Sequence, residues 1–151
     1  MPEGPATVPG RDDLVANKAL VTDFFAAWSQ GRFDQMSELL DPSGTWWTLA
    51  GRRTRSVAAQ IERHRSAWTE ARDGIRFRIL TLTAEADRVA AEVEGYAEFA
   101  VQGPYSNQYH FLFRIVGQHI ASTWVYYDTS LANRVLRGEG GGVPIPGHGA
   151  D

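Results

Sequence analysis

The chain contains no cysteine. Disulfides, thiolate nucleophiles and cysteine-ligated metals are therefore excluded at once. It also lacks any apolar run near the ~18 residues of a membrane span, and no apolar stretch opens it as a signal peptide would. An excess of charge of one sign is missing too: 15 Lys and Arg against 18 Asp and Glu leave a formal net charge of −3. That balance offers no footprint for nucleic acid or an anionic membrane, and Arg52, Arg53 and Arg55 read as a solvated loop. These absences predict a cytoplasmic protein with neither nucleic acid nor membrane as partner.

What is present has the make-up of one globular domain. Its 151 residues are 43% hydrophobic and 22% charged, enough to bury about 68–70% of the unfolded surface. Glycine and proline gather at the two ends. They predict a disordered leader over residues 1–11 and a disordered tail over 138–151, on either side of an α+β domain at 12–137. Gly140-Gly141-Gly142 belongs to the tail and opens no helix after a strand, so it is not a phosphate loop.

The domain reads as helices followed by strands. Leu14, Val21, Phe24, Phe25 and Trp28 recur at helical spacing until Gly31. A short helix over 33–40 follows, then a turn at Asp41-Pro42-Ser43-Gly44 and a brief strand over 45–49. Ser56 is placed to cap a third helix, whose stripe is Val57, Ile61, His64 and Trp68. From Ile75 the period becomes two, predicting strands at about 75–83, 88–99, 106–116 and 119–128. Such an order predicts helices over one face of a sheet.

On the third of these strands Asn107, Tyr109, Phe111 and Phe113 share a face. A face made only for packing favours Val, Ile and Leu. Rings mixed with an amide and a phenol suit a pocket that buries and orients a small molecule. The same residues also suit a buried strand whose Tyr and Asn satisfy each other.

The segments Phe24-Phe25-Ala26-Ala27-Trp28, Thr45 to Gly51, Arg88 to Glu92, Tyr105 to Phe111 and Tyr126-Tyr127-Asp128-Thr129 occur in a telling order. Over residues 12–136 the chain resembles the nuclear transport factor 2-like superfamily, in its SnoaL-like, ketosteroid-isomerase-like branch. The resemblance implies a cone-shaped, strongly curved antiparallel sheet wrapped by three N-terminal helices. It further implies a hollow end that binds hydrophobic molecules and a homodimer through the outer sheet face.

The family's catalytic groups do not carry over. A ketosteroid isomerase's tyrosine, base and third acid would fall at Phe24, at Trp47 or Thr48, and at Phe111. An epoxide hydrolase's arginine and aspartates would fall at Val93, Gly95 and Val125. A polyketide cyclase's aspartate and histidine would fall at Val125 and Phe111, with His110 one place off on the opposite face. A β-bulge beside His110 or Tyr126 would exchange those faces.

The cavity wall implied by the resemblance comprises Phe24, Trp28, Trp47, Val93, Phe111, Val125 and Tyr127, with Trp68 from the third helix. His64, Tyr109, Asn107 and Asp128 remain to carry acid–base or hydrogen-bonding work. His64 equally reads as a hydrogen-bonded boundary residue, and Asp128 as the cap of the turn that follows it. Tyr96, Leu112, Trp124 and Tyr126 fall on the opposite face, where a second copy would cover them. The histidines at 64, 110, 119 and 148 form no ligand pair at helix or strand spacing, so neither a metal nor another cofactor is expected. Two functions stay open. One is an isomerase, cyclase or dehydratase that shuttles protons on a hydrophobic carbonyl-bearing or polycyclic substrate. The other is a non-catalytic hydrophobic-ligand-binding or assembly domain.

Overall fold

The structure, a computed structural model, describes residues 10–137. The expected tail and nearly all of the leader lie outside the described residues. Helix α1 (Arg11–Ser29) already includes Arg11. Asp12 and Asp13 sit in its first turn, where negative charge suits the helix dipole, and the Asp13 carboxylate accepts from Gly10 N–H at 3.0 Å. Val21, Phe24, Phe25, Ala27 and Trp28 form its buried face. Gly31, at φ 70°, ends it in the left-handed conformation that glycine adopts without a Cβ penalty.

After α2 (Phe33–Glu38) comes β1 (Leu40–Thr48), a single turn at Ala50–Arg52, and β2 (Arg53–Ser56). Helix α3 (Val57–Glu70) begins at Ser56, whose hydroxyl accepts from Ala59 N–H at 3.2 Å as expected of a cap. Strands β3 (Ala71–Glu85), β4 (Arg88–Phe99), β5 (Gly103–Val116) and β6 (His119–Tyr127) follow. A turn of α-helix, α4 (Thr129–Ala132), and a π-helical turn (Asn133–Arg137) complete the described chain.

The sheet corrects the expected cone. Its order is β2-β1-β6-β5-β4-β3. Closure would need β2 to meet β3, yet β2 pairs with β1 and β3 with β4, which leaves both as free edges. Nor is the sheet antiparallel throughout, because β1 runs parallel to β6. It is an open, six-stranded mixed sheet that is not strongly curled. The arginine segment expected to be a loop supplies the edge strand β2. The expected turn at Asp41–Gly44 lies inside β1, where Asp41 Oδ1 accepts from Ser43 N–H at 2.9 Å and the pairing with β6 slips register.

On β4 and β5 burial alternates strictly. The pairing runs unbroken from Arg88↔Arg114 to Phe99↔Gly103, so no bulge moves His110 inward. Small residues face large ones across the pair: Ala97 meets Tyr105, Gly95 meets Asn107, and Ala91 meets Phe111. Helices α1 and α3 lie over this inner face, and the largest buried side chains are mainly aromatic.

Trp68 shows how closely helix and sheet meet. Its ring is seated against Gly31 and Gly74 (φ 76°), and a Cβ at Gly74 would stand 2.1 Å from the indole. Only glycine permits both that backbone angle and that approach.

Candidate functional site

The inner side chains at the start of β5 form one hydrogen-bonded group. Tyr105, Asn107 and Tyr109 alternate onto the same face and are 3%, 3% and 7% exposed. The two phenolic oxygens are 2.7 Å apart. The Asn107 amide nitrogen donates to the Tyr105 oxygen and to the Asp128 main-chain carbonyl, each at 2.9 Å. Its carbonyl oxygen accepts from Gln108 N–H at 2.8 Å.

Counting hydrogens gives this network its chemistry. Both amide hydrogens of Asn107 are spent. The two tyrosines own two O–H groups, and the bond between them uses one. Whichever phenol donates, the other keeps a hydrogen for a further acceptor. Burial raises the Tyr105 pKa above its ordinary 10, partly offset by hydrogen bonds from Tyr109 and Asn107. Burial pushes Tyr109 well above 10, helped by the neighbouring phenols of Tyr105 and Tyr127. At neutral pH both are protonated donors, not bases. Gly95 leaves the room that Tyr109 occupies: a Cβ there would lie 2.8 Å from the ring.

His64 occupies a different place. It is fully buried, with its ring centroid 4.2 Å from that of Trp28 and 4.9 Å from that of Trp46. Gln60, one turn earlier on α3, pairs with its Nε2 at 3.3 Å, while Nδ1 has no hydrogen-bond partner. Burial first, and the Arg63 charge second, hold its pKa well below 6.5, so the ring is neutral at pH 7. The rings of Trp28 and Phe77, 4.3 Å apart, stand between it and Tyr109. Thus Tyr109, Asn107 and Asp128 come together, whereas His64 stands apart.

The expected wall residues Phe24, Trp28, Val93, Phe111, Val125 and Tyr127 are all buried on the inner side. They pack ring to ring: Phe25 lies 5.0 Å from Phe111, and Tyr109 5.3 Å from Tyr127. These contacts fill the centre of the face that the cone would have left hollow. Trp68 is only partly buried, in its glycine seat. Trp47 requires correction. Trp46 is the buried tryptophan of β1, while Trp47 pairs in register with Trp124 and packs on Tyr126 at 5.2 Å, on the outer face.

The Asp128 carboxylate caps α4, accepting from Leu131 N–H at 3.0 Å. Tyr105 is the residue that sequence reasoning missed, since the expected strand begins at about 106 and β5 begins at Gly103. The alternation through Asn107 and Tyr109, carried one step back, would have found it. On the outer face Glu92, His110 and Tyr126 stand directly opposite one another across three strands. They line a depression of about 380 Å³ together with Leu80 and Gln108. Among the described residues no three His, Asp or Glu side chains are grouped to hold a metal ion.

An aromatic inner face ending in a neutral hydrogen-bonding group, under helices on an open mixed sheet, defines a small α+β domain. Residues 21–123 match the model of the SnoaL-like domain, so the chain belongs to that family. Its place there agrees with the resemblance to the ketosteroid-isomerase-like branch of the nuclear transport factor 2-like superfamily. No curated protein matches the chain in sequence.

Among solved structures, PrhC from Penicillium brasilianum superposes with a TM-score of 0.74 at 16% identity, over 81% of this chain and 86% of that one. An LEH-like epoxide hydrolase from M. tuberculosis gives 0.71 at 16% identity, over 83% and 93%. A protein with a ketosteroid isomerase-like fold from Catenulispora acidiphila, in complex with trimethylamine, gives 0.66 at 22% identity, over 87% and 97%. These likenesses establish a shared fold.

Proposed function

We propose that this chain binds a hydrophobic, carbonyl-bearing or polycyclic small molecule at the Tyr105–Asn107–Tyr109 end of the inner face. There it shuttles a proton in an isomerase, cyclase or dehydratase step. The observation that carries this reading is the unspent phenolic O–H within a buried aromatic surround. Such a donor is matched to a ligand carbonyl oxygen and to the negative charge that gathers on it when a proton leaves the adjacent carbon. Asp128, exposed and joined to the network through its main-chain carbonyl, is our candidate for taking that carbon-bound proton, which its carboxylate would do on leaving the Leu131 N–H it caps. The proton returns to another carbon of the ligand in an isomerisation, to the leaving hydroxyl in a dehydration, or, when the deprotonated carbon attacks a second carbonyl in a cyclisation, to the oxygen of that carbonyl. His64, behind the rings of Trp28 and Phe77, takes no part in this step.

The experiment is a binding and exchange screen against steroids, anthraquinone-type polyketides, terpene epoxides and fatty acids, read by thermal shift and tryptophan quenching. A carbonyl ligand should bind at least ~10-fold more weakly to the double variant Tyr105→Phe/Tyr109→Phe, which removes both phenolic donors, and its α-hydrogens should exchange with D2O on the wild-type protein. Equal affinity for a carbonyl ligand and its deoxy analogue would refute the role of the phenol.

The second reading, a non-catalytic binder or assembly domain, is favoured by Phe24, Val93, Phe111 and Val125, all buried and apolar. Binding without α-hydrogen exchange would select it. In either case we propose a cytoplasmic homodimer paired through the outer sheet face, where Tyr96 and Tyr126 are 51% and 41% exposed. No helix among the described residues is long and apolar enough to cross a membrane.

A further inference from the structure

Resting on the binding site proposed above, we infer that the C-terminal segment Thr129–Arg137 is a displaceable cap on it, and that the ligand enters by taking the segment's place. Ala132 and Leu136 lie four residues apart on one side of this segment. Both are fully buried and belong to the aromatic core. Between them Asn133 and Arg134 face solvent. Helix α4 packs on β5, the strand that carries the network. The segment therefore buries two apolar side chains, of which Ala132 is anchored next to the donors, its N–H sharing the Asp128 carbonyl with Asn107. A hydrophobic carbonyl compound would bring the same combination.

Its polar half is present as well. The Asp128 main-chain carbonyl accepts from Asn107 Nδ2 at 2.9 Å and from Ala132 N–H at 3.2 Å. The first contact occupies an amide hydrogen adjoining the unspent phenolic O–H. If the segment swings away about Asp128, that amide hydrogen is released. Amide and phenol then form a pair of donors for one carbonyl oxygen, the arrangement of an oxyanion hole. In the closed protein the Asp128 carbonyl stands in for the ligand's carbonyl, and Ala132 and Leu136 for its apolar body.

The fastening is light. Helix α4 has four residues and the π-helical turn five, lengths that hold no structure without tertiary contacts. π-Helical turns recur at functional sites. The strands beneath are long and paired on both sides, so local opening would spare them.

Hydrogen–deuterium exchange on the full chain tests this, together with binding of 1-anilinonaphthalene-8-sulfonate. In the wild-type protein, amides of 129–137 should exchange at least ~10-fold faster than those of β4 and β5. Leu136→Asp should speed them further, leave β4 and β5 protected, and tighten dye binding by ~10-fold or more. Equal protection of 129–137 and the strands in the wild type would overturn the proposal, whether or not the variant folds. So would loosening of the segment with no gain in dye affinity, or loss of protection in β4 and β5. Tyr105→Phe/Tyr109→Phe separates the cap from the site. A cap that opens in Leu136→Asp while this double variant leaves carbonyl-ligand affinity unchanged would uphold the cap and refute the carbonyl site.

Discussion

His64 makes folding stability sensitive to mild acid, in an amount that follows from its burial. The imidazole lies between Trp28 and Trp46, with the uncharged Gln60 on Nε2. Arg63 is the charge that acts on it, and it opposes protonation. The folded pKa is thus depressed, whereas the unfolded chain binds the proton near the ordinary value of about 6.5. Folding stability is then full above pH ~6.5 and falls as the pH drops through that value, by up to about 1.4 kcal/mol per unit. From pH 7 to pH 5 the loss is about 2 kcal/mol if the buried ring stays neutral throughout. Urea unfolding followed by tryptophan fluorescence at pH 7, 6 and 5 measures it, with His64→Leu as the reference. The comparison uses only the change with pH, so any constant cost of the substitution drops out. The wild type should lose about 2 kcal/mol more than the variant between pH 7 and 5. Equal losses, or a larger loss in the variant, would falsify the account of a buried neutral histidine.

Two further outcomes follow from packing. Gly74→Ala puts a methyl into the Trp68 ring and strains a backbone at φ 76°; it should destabilise by at least ~2 kcal/mol with altered tryptophan fluorescence, and a normal urea midpoint would show that Trp68 is not seated there. Trp124→Arg alters the proposed dimer face beside Tyr126 and brings a second guanidinium near Arg88, which lies 5.7 Å from the Trp124 ring. Sedimentation should show monomers or aggregates, and an unaltered dimer would remove this face as the interface.

The elements readable in the sequence are those whose pattern is local. The bounds of β4 are legible because Val89, Ala91, Val93, Ala97 and Phe99 recur at a period of two between two turns. Gly31 and Ser56 marked helix ends through backbone chemistry that needs no distant partner. The errors concern partners far away in the chain. Strand β2 is Arg-Thr-Arg-Ser, which has no apolar alternation, and it exists because β1 offers it an edge. The parallel pairing of β1 with β6 joins residues some eighty apart, and no periodicity announces it. Adjacent Trp46 and Trp47 are chemically identical, so pattern could not choose which faces inward. The irregular turn at Asp41 had already reset the count. The resemblance also brought a cone with it, whereas the pairings here leave two open edges.

The position of the candidate site follows from side-chain size along β4 and β5. Toward Arg88 and Arg114, Phe111 and Phe113 lie on Phe24 and Phe25 from α1, and these rings fill the space under the helix. Toward the other end β4 supplies only Gly95 and Ala97 opposite Asn107 and Tyr105. Small residues there make room for phenols that lie inward and hydrogen-bond to each other. In the described chain α4 packs on β5 at that end, with its Ala132 fully buried. The apolar residues at the positions where relatives' acids would fall, Phe24, Val93, Phe111 and Val125, therefore do not remove polar chemistry from the inner face. They leave the inner face of β5 with its hydrogen-bonding groups gathered at the strand end where Tyr105, Asn107 and Tyr109 stand. There burial keeps the phenols protonated and the cap decides access. Chemistry by this chain would therefore depend on donated hydrogen bonds, with its one nearby carboxylate, Asp128, at the hinge of the segment that must move.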